Sequence, residues 1–293
     1  MFFKQREQLL LLLITISVAF LGCNREQPSA ITRSEPKRIV SLSPSVTEIL
    51  YGIGAWQQVI AVSEYDTYPS DVVNKPRVAG WGSTNLEQIM ALKPDLVIGV
   101  DAQVPELRDK LTKLGVTSLF VNSQSLNDVF TSISEIGRVT GHEREASDLN
   151  AKTRSELDAI RAAVSNRQRP SVLCVVDRVP GTIRDLYSAS RGSYLDELIG
   201  IAGGNSIAPP TDSGYGKLSK EAVVTMNPEV IIDMVQSATG EDPKVVWAEL
   251  SEVSAVRGGR IYFMRDPSVI HPSQFVGHTA ELFAKAIHPE AFK

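Results

Sequence analysis

The chain is poor in the residues on which most exported enzymes and metal proteins depend. Of 293 residues, two are cysteine and four are histidine. The histidines, His142, His271, His278 and His288, form no HExxH pair and no histidine-rich loop, so no metal site is expected. No GxSxG elbow is present, and Gly214-Tyr-Gly-Lys-Leu-Ser219 lacks the first glycine and the terminal Ser/Thr of a phosphate loop. Loop acids such as Asp66, Asp101, Asp177 and Asp266 are available for acid-base work, yet nothing fixes their separation. The expectation is a protein that is not an enzyme. Positive charge is also scarce: 30 Lys and Arg stand against 34 Asp and Glu, a net charge of -4. A nucleic-acid partner usually needs a basic face, so none is expected. The one long apolar run, Leu9 to Gly22, falls short of the ~20 residues that cross a bilayer.

That run is nevertheless informative. Lys4 and Arg6 precede it, small residues close it, and Cys23 follows. A basic start, a short apolar stretch and a small-residue cut describe a secretory signal. Gly22-Cys23 resembles the lipobox of bacterial lipoproteins, with Phe20 where Leu is usual. Residues 1–22 are read as signal, Cys23 as the lipidated residue, and residues 23–36, polar and bracketed by proline, as a tether. The protein is thus expected outside the cytoplasm, in the periplasm or at the cell surface, membrane-anchored by lipid. Cys174, inside the apolar Val172-Leu-Cys-Val-Val176, reads as a buried thiol packed as a small hydrophobe.

From residue 37 onward, short apolar strands alternate with helical segments, the mark of an α/β fold. Leu96 to Val100 is a continuous apolar strand of the kind buried on both faces. Ser43 and Ser45 offer caps for a helix from about Val46 to Tyr51. From Leu126 to about Asn166 only Gly137 and Gly141 interrupt helix, and the second part is polar with a thin stripe of Leu149, Leu157, Ile160 and Val164. It reads as a linker helix (141–168) between an N-terminal lobe (37–140) and a C-terminal lobe (169–293).

The two lobes repeat a phrase. NLEQIMALKPDLVI, from Asn85, is matched by LSKEAVVTMNPEVII, from Leu218; in each, a Glu stands seven residues before a Pro. Two further segments correspond in the same order, Thr47–Gly54 with Asp196–Gly203 and Gly115–Val121 with Gly259–Arg265. Three ordered matches argue for two lobes of like architecture with a cleft between them, a common place for a ligand. Asn85 and Ser219 are N-cap candidates two residues before Glu87 and Glu221, so each Glu also suits its helix N-terminus.

These phrases, together with RIVSLSPSVTEILYGIG, AIHPE and the lipobox, resemble the helical-backbone (class III) substrate-binding proteins of ABC importers over Lys37 to Glu290. The resemblance implies two Rossmann-like lobes joined by one long backbone helix, with the ligand cleft between them. It implies a monomer that binds a small molecule and docks on a permease dimer. Glu87 and Glu221, one per lobe, would meet arginines on the two permease halves. The family serves cobalamin, ferric siderophores and haem.

For the ligand, loops EYDTYP, GWGSTN, GYGKLSKE and MRDP resemble those of the cobalamin-binding members. The resemblance assigns Tyr65, Trp81, Tyr215 and Asp266 to ligand binding. Trp81 and Tyr215 each stand six residues before the repeat Glu, which places an aromatic in the matching loop of each lobe. Two aromatic faces suit a flat, broad ligand. The chain departs from the pattern at Tyr215, where Trp is usual, and at Ile270, where a basic residue is expected. The alternative ligand is a ferric siderophore or haem: Arg178, Arg184, Arg191 and Arg265 suit anionic oxygens, and Tyr65, His271 or His278 suit a haem iron. No resident cofactor is expected in either case. An exported hydrolase or a sensor without transport are the remaining classes.

Overall fold

The computed structural model describes residues 35–80, 83–101, 107–235 and 240–292. Residues 35–293 group as one compact unit. Its first sheet takes β1 (Ile39–Ser41), β2 (Val59–Ser63), β3 (Arg77–Gly80), β4 (Ser83–Thr84), β5 (Leu96–Val100) and β6 (Ser118–Val121), in the order β4-β3-β2-β1-β5-β6. All neighbours are parallel except β3 and β4. Helices α1 (Pro44–Gly52), α2 (Leu86–Ala91) and α3 (Leu107–Lys113) belong to this lobe.

The chain then runs through α4 (Leu126–Thr140) and α5 (Glu143–Ala163). Ser125 and Asp128 form a reciprocal capping box that starts α4. Gly141, with φ of 77°, ends it in the left-handed conformation that glycine adopts without penalty. Gly137 lets α5 fold back closely, since a Cβ there would collide with the Cβ of Ala146.

The second sheet holds β7 (Ser171–Asp177), β8 (Leu186–Ala189), β9 (Asn205–Ser206), β10 (Tyr215–Leu218), β11 (Val230–Asp233) and β12 (Ile261–Phe263). Its order is β10-β8-β7-β11-β12, with β9 also on β7. The central strand, its right-hand neighbour and the edge beyond repeat the first lobe: β7, β11 and β12 stand where β1, β5 and β6 do, all parallel. The left side differs, because β8 runs antiparallel to both β7 and β10. Helices α6 (Tyr194–Ile201), α7 (Lys220–Met226), α8 (Pro243–Trp247), α9 (Ser254–Arg257) and α10 (Val276–Ile287) complete the lobe.

Strand alternation divides the interior into three. Val172 and Cys174 of β7 face a core shared with Ile39, Ile49, Leu157 and Phe283, whereas Leu173 and Val175 face a separate cluster around Trp247. Val40 and Leu42 face a third cluster with Ile89 and Leu111. Each sheet therefore owns one outer core, and the helices α1, α4, α5, α6 and α10 form a common inner one. A simple picture of two bodies joined only by a rod is thus incomplete: the lobes also share packing along a seam. Two backbone amides cross it, Tyr194 N–H to Gln124 C=O at 2.7 Å and Leu126 N–H to Glu197 Oε1 at 2.8 Å.

One local expectation changes. Ser43 occupies the N-cap position of α1 without capping it, because its hydroxyl is engaged with the Ser45 hydroxyl at 3.0 Å. Cys174 is buried as expected, and burial pushes its thiol well above the usual range. His288 is buried against Gly203 C=O at 3.1 Å, consistent with packing.

Candidate functional site

The repeated phrase forms the same device twice. Asn85 accepts the Gln88 N–H at 2.9 Å to start α2, and Ser219 accepts the Ala222 N–H at 3.2 Å to start α7. Glu87 and Glu221 are then both second in their helices, both exposed, and neither has an ion pair among the described residues. The Glu221 carboxyl is held below the usual range by its own backbone N–H and by the Ser219 hydroxyl.

Tyr65 follows β2 on a loop whose interior is a buried carboxyl. Asp66 Oδ2 accepts the Ser63 N–H at 2.9 Å and the Ser63 hydroxyl, while its Oδ1 has no hydrogen-bond partner. Burial raises the pKa of Asp66 against the opposing pull of those bonds and of Arg77. Arg77 Nη1 donates to Ser63 C=O at 2.7 Å and Asp66 C=O at 2.8 Å. With the turn tied beneath it, Tyr65 is 54% exposed. From sequence, Asp66 stands only among four loop acids and Arg77 is not named. The available signal was the Ser63-x-x-Asp66 spacing, which lets a side chain close a turn.

Tyr215 does not lie in a loop. It is the first residue of β10, opposite Ala189 of β8. It is 40% exposed, and desolvation of its hydroxyl, beside the Tyr194 phenol, raises its pKa. Tyr194 in turn donates to Ile270 C=O at 2.7 Å. Asp266 caps the turn Pro267–Ile270 through Ser268 N–H at 3.0 Å and faces His278 Nε2 at 3.2 Å. Desolvation opposes its ionisation, but the Ser268 and His278 bonds prevail and hold its carboxyl below the usual range.

Asp266 shares a pocket of about 580 Å³ with Glu48, Tyr68, Lys152, Phe275 and His278. Tyr68 comes from the Tyr65 loop and meets Phe275 edge-on at 5.2 Å between ring centroids. The structure thus brings Asp266 to the Tyr65 loop through this pocket, and Tyr215 to the same segment through Tyr194 and Ile270. It gives no direct contact between Tyr65, Tyr215 and Asp266. Trp81 and Cys23 lie outside the described residues.

The arginines divide. Arg178 is 2% exposed, donates to Asp233 Oδ2 at 2.9 Å and pairs with Glu241, so it is committed to the interior. Trp247 Nε1 binds the same Asp233 oxygen at 2.9 Å. Arg265 donates to Glu241 C=O at 2.9 Å and lies over Phe263. Arg184 and Arg191 are exposed. Arg178 and Arg265 thus meet at Glu241, and Asp233 and Glu241 neutralise Arg178. Among the described residues, no group of three or more His, Cys, Asp or Glu is placed to hold a metal ion.

The last feature lies on the seam. Glu48, midway along α1, is 3% exposed. Its Oε1 meets His271 Nδ1 at 2.6 Å, its Oε2 accepts the Ser273 hydroxyl at 2.6 Å, and its C=O accepts Gln274 Nε2 at 2.9 Å. The partners are 223 to 226 residues away in sequence, so no local pattern announced them.

Two like sheets, an inner layer of helices and an exposed Glu at the matching point of each lobe define a two-lobed solute-binding protein. A profile of periplasmic binding proteins matches residues 39–267, and the chain belongs to that family, of the class III substrate-binding type. An uncharacterized ABC transporter substrate-binding lipoprotein of Bacillus subtilis, YvrC, is 32% identical over 270 residues, covering 89% of this chain and 83% of the relative. The vitamin B12-binding protein of Yersinia pestis is 24% identical over 240 residues, 81% of this chain and 84% of its own. Among solved structures, the periplasmic vitamin B12 binding protein BtuF of Vibrio cholerae superimposes with a TM-score of 0.75 at 26% identity, covering 88% and 99% of the two chains. A periplasmic heme binding protein of Pseudomonas aeruginosa has a TM-score of 0.77 at 22% identity, covering 87% and 93%, and shares the fold. The family consists of substrate-binding proteins of ABC importers and not of enzymes. Among the described residues, no helix is long and apolar enough to cross a membrane.

Proposed function

We propose that this substrate-binding protein captures a corrinoid, a cobalamin-like ligand, and presents it to the permease dimer of an ABC importer while Cys23 anchors it by lipid. The observation that carries the corrinoid reading is one exposed tyrosine in each lobe, Tyr65 in the first and Tyr215 in the second, while Arg178 of the second lobe is already spent on acids. Aromatic faces suit a broad, flat ring system. Of the four arginines suited to an anionic catecholate, Arg178 is paired twice, which reduces the guanidinium groups free for such a ligand. Similarity to the vitamin B12-binding proteins of Yersinia pestis and Vibrio cholerae supports the same reading. Tyr65, Trp81, Tyr215 and Asp266 are the proposed ligand contacts, and Glu87 and Glu221 the proposed contacts with the permease.

The reading is tested by incubating the purified protein with cyanocobalamin, haemin and ferric siderophores and recording visible spectra after desalting. Retained corrinoid absorbance is expected. Retention of haem or a siderophore alone replaces the corrinoid with that ligand. Trp81→Ala is expected to weaken corrinoid binding by about 1–3 kcal/mol through lost stacking, measured by titration.

A further inference from the structure

We infer that Glu48 is a positioning residue that fixes the angle between the two lobes and hence the width of the cleft. Three groups of the second lobe, within the four residues from His271 to Gln274, converge on this one residue of the first. Glu48 is held in α1 directly after the central strand β1, and its partners lie directly before α10, which packs against α5 and α6. Both sides are backed by rigid helices, so the short bonds between them convert into an interlobe angle. The carboxylate is buried, and any rotation that parts the lobes would leave it without partners in a medium of low dielectric.

The same segment reaches the ligand side. Ile270 C=O holds the Tyr194 hydroxyl beside Tyr215, and Phe275 meets Tyr68 of the Tyr65 loop. The seam clasp and the tyrosines are thus one connected structure. The positional role stands without any assignment of ligand; only its effect on ligand capture rests on the proposed function.

The test needs no ligand. Spin labels are placed at Leu114→Cys and Val245→Cys, exposed sites in the first and second lobes, in the full chain carrying Cys23→Ser. Cys174 is buried and stays unlabelled. Pulsed electron spin resonance should give one narrow interlobe distance distribution. Glu48→Ala should make it about twofold broader, as an ensemble released from a single angle does. Glu48→Gln, able to accept from Ser273 and to donate to a neutral His271, should restore the narrow distribution. Ile89→Ala, a truncation in the outer core of the first lobe, should leave it unchanged. If Glu48→Ala does not fold, Ser273→Ala removes one bond without opening a large cavity and should broaden the distribution in the same sense. A wild-type width in the folded variant that removes a clasp bond, a Gln variant as broad as Ala, or equal broadening by Ile89→Ala overturns the inference.

Discussion

Asp66 shows how one side chain under an exposed loop can make the whole molecule respond to pH. Burial is the largest influence on it and raises its pKa above the ordinary 3.8. A value raised on folding means that the native chain holds the proton more tightly than the unfolded chain does. The associated stability is fully present below the unfolded value and is lost as pH rises through the folded one. Asp66→Asn stays neutral throughout, so its urea midpoint should fall less than that of the wild type as pH rises above the ordinary carboxyl value of 3.8. Arg178 illustrates the opposite case, a charge already matched. Arg178→Ala leaves Asp233 buried with only Trp247 as a side-chain donor, and equilibrium unfolding should show a loss of about 3–5 kcal/mol. From sequence, Arg178 was grouped with the loop arginines because it closes an apolar strand. Its acidic partners Asp233 and Glu241 lie 55 and 63 residues onward, beyond any local pattern.

Local signals were strongest for whole elements. The apolar run Leu96 to Val100 became β5 over that same span, and the caps Asn85 and Ser219 open α2 and α7 as their residue types suggested. The long helical stretch was legible, and so was Gly141 as the break between α4 and α5, whereas Gly137 lies within α4. Strands β8 and β10 were missed because each is an antiparallel addition of four residues held by its partners. That omission put Tyr215 in a loop. At the junction of α4 and α5, Gly137→Ala would thrust a methyl group at Ala146 and towards the His142 carbonyl. Such overpacking should cost about 1–3 kcal/mol in thermal or urea unfolding, with the helices forced apart.

At the scale of the molecule, the sequence repeat anticipated two sheets with matched central strands, and the two acids appear at equivalent helix starts. The seam did not show in the repeat, because its contacts join places that are not equivalent in the two lobes: α1 of the first meets the approach to α10 of the second. The matched acids make a prediction about encounter with a permease. Glu87→Arg with Glu221→Arg should abolish import while ligand affinity is unchanged, and normal uptake by this variant would exclude the docking role. Replacing both with Gln should also slow association and flatten its dependence on ionic strength, since rim charges act mainly on approach rates.

The residues that clasp Glu48 come 223 to 226 positions after it. A ribosome works from the amino end, so the first sheet, α4 and α5 are all complete before His271 to Gln274 have been made. Until His271 to Gln274 emerge, Glu48 waits without its partners, and the join between halves is made late in synthesis. A chain that stops before His271 would therefore carry a first lobe whose Glu48 has none of these partners.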